Sequence, residues 1–207
     1  MPDFSIEEEF NVPVIGLDEV GRGPLAGPVI SCGCYFKNYT IQEEFTNFIG
    51  DSKQLSEKKR ELSFKFLQNL KKEGIIDYHL GIANVEEIDN LNILEATKLS
   101  MKRVIDKFDI KNVHLIIDGN FSLNYKSYKE KSIIKGDEKS LSIASASIIA
   151  KIHRDRLMKK LSIKFQHFGW EKNAGYGTKM HIENIHRLGP TIHHRKTFEP
   201  IKSLIHN

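Results

Sequence analysis

A chain of 207 residues with 40% hydrophobic and 28% charged residues has the make-up of a globular protein of one domain, 1–207, long enough to bury a core without disulfides or metal staples. No apolar run approaches the roughly 18–20 residues of a membrane span, and the acidic start from Met1 to Phe10 lacks the basic and apolar stretches of a secretion signal, so a cytoplasmic location is expected. The net charge of +4 permits a polyanionic partner without proving one.

In chain order, Val14 to Leu17 is a short apolar run that ends in Asp18-Glu19 and reads as a strand with charge at its end. Gly21, Gly23, Pro24, Gly27 and Pro28 then break regular structure. Val29 to Phe36 reads as a second strand paired with the first. Its Cys32 and Cys34 are expected on opposite faces, as small buried hydrophobes and not as a disulfide or a zinc pair. Ser56 caps a helix to about Lys72, with Leu62, Phe66, Leu67 and Leu70 as its apolar face. Ile75 to Ala83 is a third strand. Val85 to about Phe108 is largely helical, with Leu94, Leu99, Met101, Val104 and Ile105 inward. Val113 to Ile117 is a buried strand bounded by Asp118-Gly119, and Ser132 to Ile134 is a short fifth strand. Ser140 to about Phe165 is one long helix, small and apolar in its first half and basic in its second. Two strands followed by alternating helices and strands and a helical tail make an α/β layer architecture on a mixed sheet. The late histidines, among them His181, His186, His193 and His194, show no regular ligand spacing and are expected in solvent or facing phosphates.

The candidate chemistry lies in the acids. Asp18 and Glu19 are like charges at a strand end, with Arg22 as the one evident partner, and a hard dication would relieve their repulsion. A solvated strand end is the alternative. Asp118 ends the most hydrophobic strand, where open α/β sheets gather ligand chemistry, although Asp-Gly is also a common turn. Asp137 follows Lys135-Gly136 and is either a further ligand or a cap for the long helix. Asp155, between Arg154 and Arg156, is expected in an ion pair. Acids at several element ends are what a two-metal phosphoryl site needs.

Gly21-Arg22-Gly23 lets a backbone come close to a ligand and offers amides to a phosphate or a sugar hydroxyl. It lacks the Gly-Lys-Ser/Thr ending of a phosphate loop, and a simple tight turn is the alternative. Lys53, just before a helix, suits a phosphate contact or an exposed loop. Tyr176, between Gly175 and Gly177, suits stacking on a sugar or base, or packing on the body.

As an ordered set these segments are far more specific. Gly16-Leu17-Asp18-Glu19-Val20-Gly21-Arg22-Gly23-Pro24-Leu25-Ala26-Gly27-Pro28-Val29 resembles the opening signature of ribonuclease HII. Asp51-Ser52-Lys53-Gln54-Leu55, Ile117-Asp118-Gly119-Asn120, and Lys135-Gly136-Asp137 with Ser142 to Lys151 and Arg154-Asp155 resemble its next blocks. Ala174-Gly175-Tyr176-Gly177-Thr178 and His194-Arg195-Lys196-Thr197-Phe198 resemble its last ones, so the likeness runs from about Val14 to Phe198. Departures are Met180, where an acid is more usual, and Lys196, where arginine is common.

The resemblance implies a ribonuclease H-like fold: a five-stranded mixed sheet flanked by helices, with a helical C-terminal part. It implies Asp18, Glu19, Asp118 and Asp137 as catalytic acids that bind Mn²⁺ or Mg²⁺ in a two-metal site. It implies Gly21, Arg22 and Gly23 as sensors of a 2′-hydroxyl, Tyr176 as a stack on the following deoxyribose, and Lys53 as a phosphate contact. The implied substrates are RNA–DNA hybrids and DNA duplexes with embedded ribonucleotides, cut 5′ of the ribonucleotide to leave 5′-phosphate and 3′-hydroxyl ends. A monomer is expected, and the tail from Pro200 to Asn207 carries no sliding-clamp peptide with paired aromatics. Ribonuclease HIII shares the acids but carries an extra N-terminal domain, for which about a dozen residues before the first strand are too few. A non-catalytic hybrid-binding module is the rival from another class, and acids among phosphate contacts speak against it.

Overall fold

The computed structural model describes residues 1–40, Ile49 and 56–206. The motif Asp51-Ser52-Lys53-Gln54-Leu55 lies outside the described residues, and the expected phosphate contact of Lys53 with it.

Among the described residues the strands are β1 (Val14–Val20), β2 (Val29–Phe36), β3 (Ile76–Ala83), β4 (His114–Asp118) and β5 (Lys129–Ile133), arranged β3-β2-β1-β4-β5. The first three are antiparallel neighbours, while β1 runs parallel to β4 and β4 to β5, so the sheet is mixed. The parallel register pairs Leu17 with Ile117 and brings the ends of β1 and β4 side by side.

The helices are α1 (Glu57–Lys72), α2 (Val85–Leu91), α3 (Ile93–Ile105), α4 (Leu141–Lys164), α5 (Trp170–Asn173), α6 (Lys179–Leu188) and α7 (Ile201–His206). Ser56 caps α1 by accepting from the Lys59 N–H at 3.3 Å. The expected helix from Val85 to Phe108 is two helices, broken at Asn92, whose φ of 70° ends one and whose side chain caps the next by accepting from Leu94 and Glu95. No helix of the described residues is long and apolar enough to cross a membrane.

One sheet face buries the small residues of α4. A Cβ on Gly16 would lie 2.6 Å from the Ile143 nitrogen, so only glycine lets α4 settle this close to β1. Cys32 and Cys34 both enter the core under α1 and α4, with Phe36, Phe64, Leu67 and Ala146. The expectation of opposite faces is therefore corrected: residues two apart on a strand share a face. Both thiols are free and buried. The other face packs α3 through Met101, Val104 and Ile105. The inner face of α1 is also rotated from expectation. Ser63 and Phe64 are buried beside Leu67 and Leu70, while Leu62 is 48% exposed.

Two of the late histidines overturn their expectation, while His186 is exposed as expected and His193 is half-buried. His181 and His194 are fully buried, among Phe168 and Trp170. The His194 Nδ1 accepts from the Thr191 N–H at 2.8 Å, so its Nε2 carries the proton and donates to the His181 Nε2 at 3.0 Å. Trp170 Nε1 donates to the same His181 nitrogen at 3.1 Å, which leaves the His181 Nδ1–H for the Tyr176 carbonyl at 2.8 Å. Burial, then the adjoining His181 and His193, push the His194 imidazole down to about 3. The folded chain thus binds fewer protons than the unfolded chain between pH 3 and the ordinary histidine value of 6.5. The stability that neutral His194 provides is full above 6.5 and is lost as pH falls. Unfolding by urea at pH 7 and pH 5 is expected to differ by about 2 kcal/mol from this group alone. An undiminished pH dependence in His194→Gln would locate its source elsewhere.

Candidate active site

The parallel pairing of β1 with β4 sets the site. Asp18 and Asp118 each follow a registered residue, Leu17 and Ile117, and so stand together at the carboxyl ends of adjacent strands. Asp18, Glu19 and Asp118 line one cleft of about 410 Å³, together with Gly21, Arg22, Gly23, Arg60, Ser147, Lys151 and Tyr176. The strand fixes Asp18 inward, 3% exposed, and leaves the Glu19 side chain mostly buried, 11% exposed. Burial, then the charges of Glu19 and Asp118, push the Asp18 carboxyl well above the usual carboxylate range. Hydrogen bonds from the Ser147 hydroxyl and from the Glu19 N–H, at 2.7 Å, oppose that rise. The three acids are thus electrostatic neighbours, which strand order alone did not establish.

Asp118 accepts from the Gly136 N–H at 2.6 Å. Asp137 comes next, buried in a 3₁₀ turn over Gly136–Glu138, one residue from that bond but not in the cleft lining. It is not the cap of α4: Ser140 is, accepting from the Ile143 N–H at 3.2 Å. Among the described residues no three His, Cys, Asp or Glu side chains already close on one point as a metal shell.

The bases around the acids are organised by α4. Asp155 forms its ion pairs with Lys151 at 2.6 Å and Arg60 at 3.7 Å, not with its chain neighbours Arg154 and Arg156. The reason is helical: residues four apart share a face and adjacent ones do not. Arg156 pairs with Glu61 instead, and Arg154 is buried. Arg22 reaches Glu19 at 3.4 Å and lies over the Phe121 ring. Opposite the acids, Gly23 faces the Tyr176 ring, and a Cβ on Gly23 would stand 3.5 Å from Tyr176 Cε1. Tyr176 is 48% exposed, so it walls the cleft and is not packed into the body. Ser147, Lys151 and Arg60 went without a role in the sequence reading. The i, i+4 spacing of Lys151 and Asp155 is the one signal that was available.

The profile of the ribonuclease HII family matches residues 15–200. The chain is 49% identical over 202 residues to the ribonuclease HII of Macrococcus caseolyticus, covering 96% of this chain and 72% of that one. It is 46% identical to the ribonuclease HII of Wolbachia pipientis subsp. Culex pipiens, covering 98% of each. The crystal structure of ribonuclease H2 from Pyrococcus horikoshii superposes with a TM-score of 0.74 at 27% identity, over 93% of this chain and 96% of that one. The mixed five-stranded sheet with its flanking helices is that fold.

Proposed function

The chain belongs to the ribonuclease HII family and is an endoribonuclease of the ribonuclease H2 type, and from that premise we propose how its cleft works. The substrate is an RNA–DNA hybrid or a DNA duplex with an embedded ribonucleotide. The bond cut lies 5′ of the ribonucleotide, and the products carry 5′-phosphate and 3′-hydroxyl ends. The observation that carries this reading is the common cleft of Asp18, Glu19 and Asp118, walled by Gly21-Arg22-Gly23 and Tyr176. Carboxylates repel a phosphodiester backbone unless a cation stands between them.

Asp18, Glu19 and Asp118, with Asp137 behind them, would hold Mg²⁺ or Mn²⁺. The fit rests on the donors: hard oxygens, one of them buried against like charge, suit a hard dication. When bound there, such cations supply an activated water and stabilise the leaving oxygen. The protein's own part is positioning. The Ser147 hydroxyl steadies the Asp18 carboxylate. The Gly21-Arg22-Gly23 backbone meets the 2′-hydroxyl, by which a protein tells RNA from DNA. The Tyr176 ring stacks on the next sugar and disfavours a further hydroxyl. Lys151 and Arg60, held by Asp155, offer positive charge along the rim, and Lys53 is assigned a phosphate.

A DNA duplex with one ribonucleotide, incubated with Mg²⁺, with Mn²⁺ or with EDTA, tests the proposal. Cutting at the 5′ side of the ribonucleotide with either metal, and none in EDTA, is the expected result. Binding without cutting in every metal would make the chain a hybrid-binding module, and cutting in EDTA would remove the cations.

A further inference from the structure

Beneath the Gly21-Arg22-Gly23 loop lie two arginines that nothing above employs. Arg154 from α4 and Arg195 from the loop before α7 are both fully buried. A buried charge is costly unless its hydrogen bonds are made. Here they go to main-chain carbonyls. Arg154 donates to Pro28 and Ala26, each at 3.0 Å, and to Ala174 at 2.8 Å. Arg195 donates from Nη1 to Arg22 at 2.8 Å, from Nη2 to Gly21, and from Nε and Nη2 to Gly27 at 3.0 and 2.8 Å.

The orientation matters more than the stability. In a trans peptide the N–H points opposite to the carbonyl of the same plane. The Gly21 carbonyl shares its plane with the Arg22 N–H, and the Arg22 carbonyl with the Gly23 N–H. With both carbonyls drawn inward to Arg195, both N–H groups face away from the buried guanidinium, to the side where the loop lines the cleft. Gly21 makes the arrangement possible. Its φ is 100°, and a Cβ there would sit 2.2 Å from Arg154 Nε. Arg154 also grips Ala174, two residues before Tyr176, and so ties the strand entry at Ala26 and Pro28, just after the glycine loop, to the segment that carries Tyr176.

We infer that Arg195, supported by Arg154, is a positioning residue for recognition of the 2′-hydroxyl: it fixes two peptide planes so that the N–H groups of Arg22 and Gly23 donate to the sugar oxygen. This rests on the reading that the cleft takes a ribonucleotide. Lysine cannot replace the arginine, because one ammonium lacks the planar fork that reaches three carbonyls at once.

The test is binding, read by fluorescence anisotropy in Ca²⁺, with gels to verify intact duplex. Two labelled duplexes of one sequence are used, one all DNA and one with a single ribonucleotide. The wild-type chain is expected to prefer the ribonucleotide. Arg195→Lys is expected to lose most of that preference, about tenfold for two hydrogen bonds, while affinity for all-DNA duplex stays within about twofold because phosphate contacts set it. Ile105→Ala, a core variant on the opposite face of the sheet, serves as a control for lost stability and should keep the preference. The inference is overturned if folded Arg195→Lys keeps the wild-type ratio, if both affinities fall together, or if Ile105→Ala loses the ratio as well. Should Arg195→Lys not fold, hydrogen exchange by NMR on the wild-type chain decides. The Arg22 and Gly23 amides should be slowed more by the ribonucleotide duplex than by all-DNA, and equal slowing overturns the inference. Preference and cutting intact in the wild type, with the ratio unmoved in Arg195→Lys, sinks the brace alone. A wild type that neither prefers nor cuts the ribonucleotide sinks the functional reading and the brace with it.

Discussion

Asp18→Asn is expected to lose hydrolysis by about 10³-fold or more, while the protein folds at least as well as its parent. The first half follows from the proposed role. Charge stabilisation at the reacting phosphate is worth several kcal/mol, and about 4 kcal/mol is 10³ in rate. The second half follows from electrostatics. Burial and the charges of Glu19 and Asp118 raise the Asp18 carboxyl, so its ionised form opposes folding near neutral pH. The sign is that of a raised acid: its favourable contribution is present below its ordinary value of 3.8 and is lost as pH rises through the folded value. Asparagine keeps the shape and removes the charge. Thermal unfolding without added metal should therefore give an unchanged or higher Tm. Near-normal turnover with Mg²⁺ or Mn²⁺ would take Asp18 out of the site. A Tm several degrees lower would show that the carboxylate was structural.

Glu7→Ala is expected to cost about 3 kcal/mol of stability, a Tm drop of roughly 6–12 °C for a chain of this size. Glu7 is fully buried in a 3₁₀ turn near the N-terminus. Its Oε1 accepts from the hydroxyls of Ser140 and Ser142, both at 2.6 Å, and from the Ser142 N–H at 3.0 Å. A carboxylate at the start of α4 also meets the positive end of the helix dipole. The same segment is stitched down by the Asp3 carbonyl, which accepts from the Leu141 N–H at 2.9 Å. Alanine leaves those buried donors without their acceptor. Glu7→Gln keeps the shape and one acceptor oxygen and should lose less. Equal losses for both variants, or a Tm within about 2 °C of the parent in Glu7→Ala, would deny the carboxylate this role. Since α4 carries Ser147 and Lys151 to the cleft, the acidic N-terminus supports the site from the far end of the helix.

Much of the molecule was legible in the sequence because it is local. Runs such as Val29 to Phe36 match their strand, since the preference of small, β-branched and aromatic residues for a pleated, buried surface acts over a few residues. Ser56 announces its helix through its hydroxyl, whereas the cap of α4 is Ser140 and not the Asp137 that the sequence offered for it. The ordered motifs were enough to suggest the family and to name Asp18, Glu19 and Asp118 as acids at element ends. Local signals failed where the answer depended on partners. The helix face at Leu62 was misjudged because the direction of the core is set by α4 and the sheet, not by α1. His181 and His194 look solvated as isolated residues and are buried because Trp170, Thr191 and Tyr176 satisfy them.

The sequence by itself determined the order of the elements, the strand ends that carry acids, and the glycines a close backbone approach requires. Only the tertiary structure decided that Asp18 and Asp118, a hundred residues apart, share one cleft, that Asp137 is buried beside the Gly136 amide bonded to Asp118 and does not line that cleft, and that Arg154 and Arg195 lie buried beneath the glycine loop. The physical reason is that a hydrogen-bonded turn or a hydrophobic period is a property of a few neighbouring residues. Burial and charge repulsion exist only once parallel strands have paired and water has been excluded.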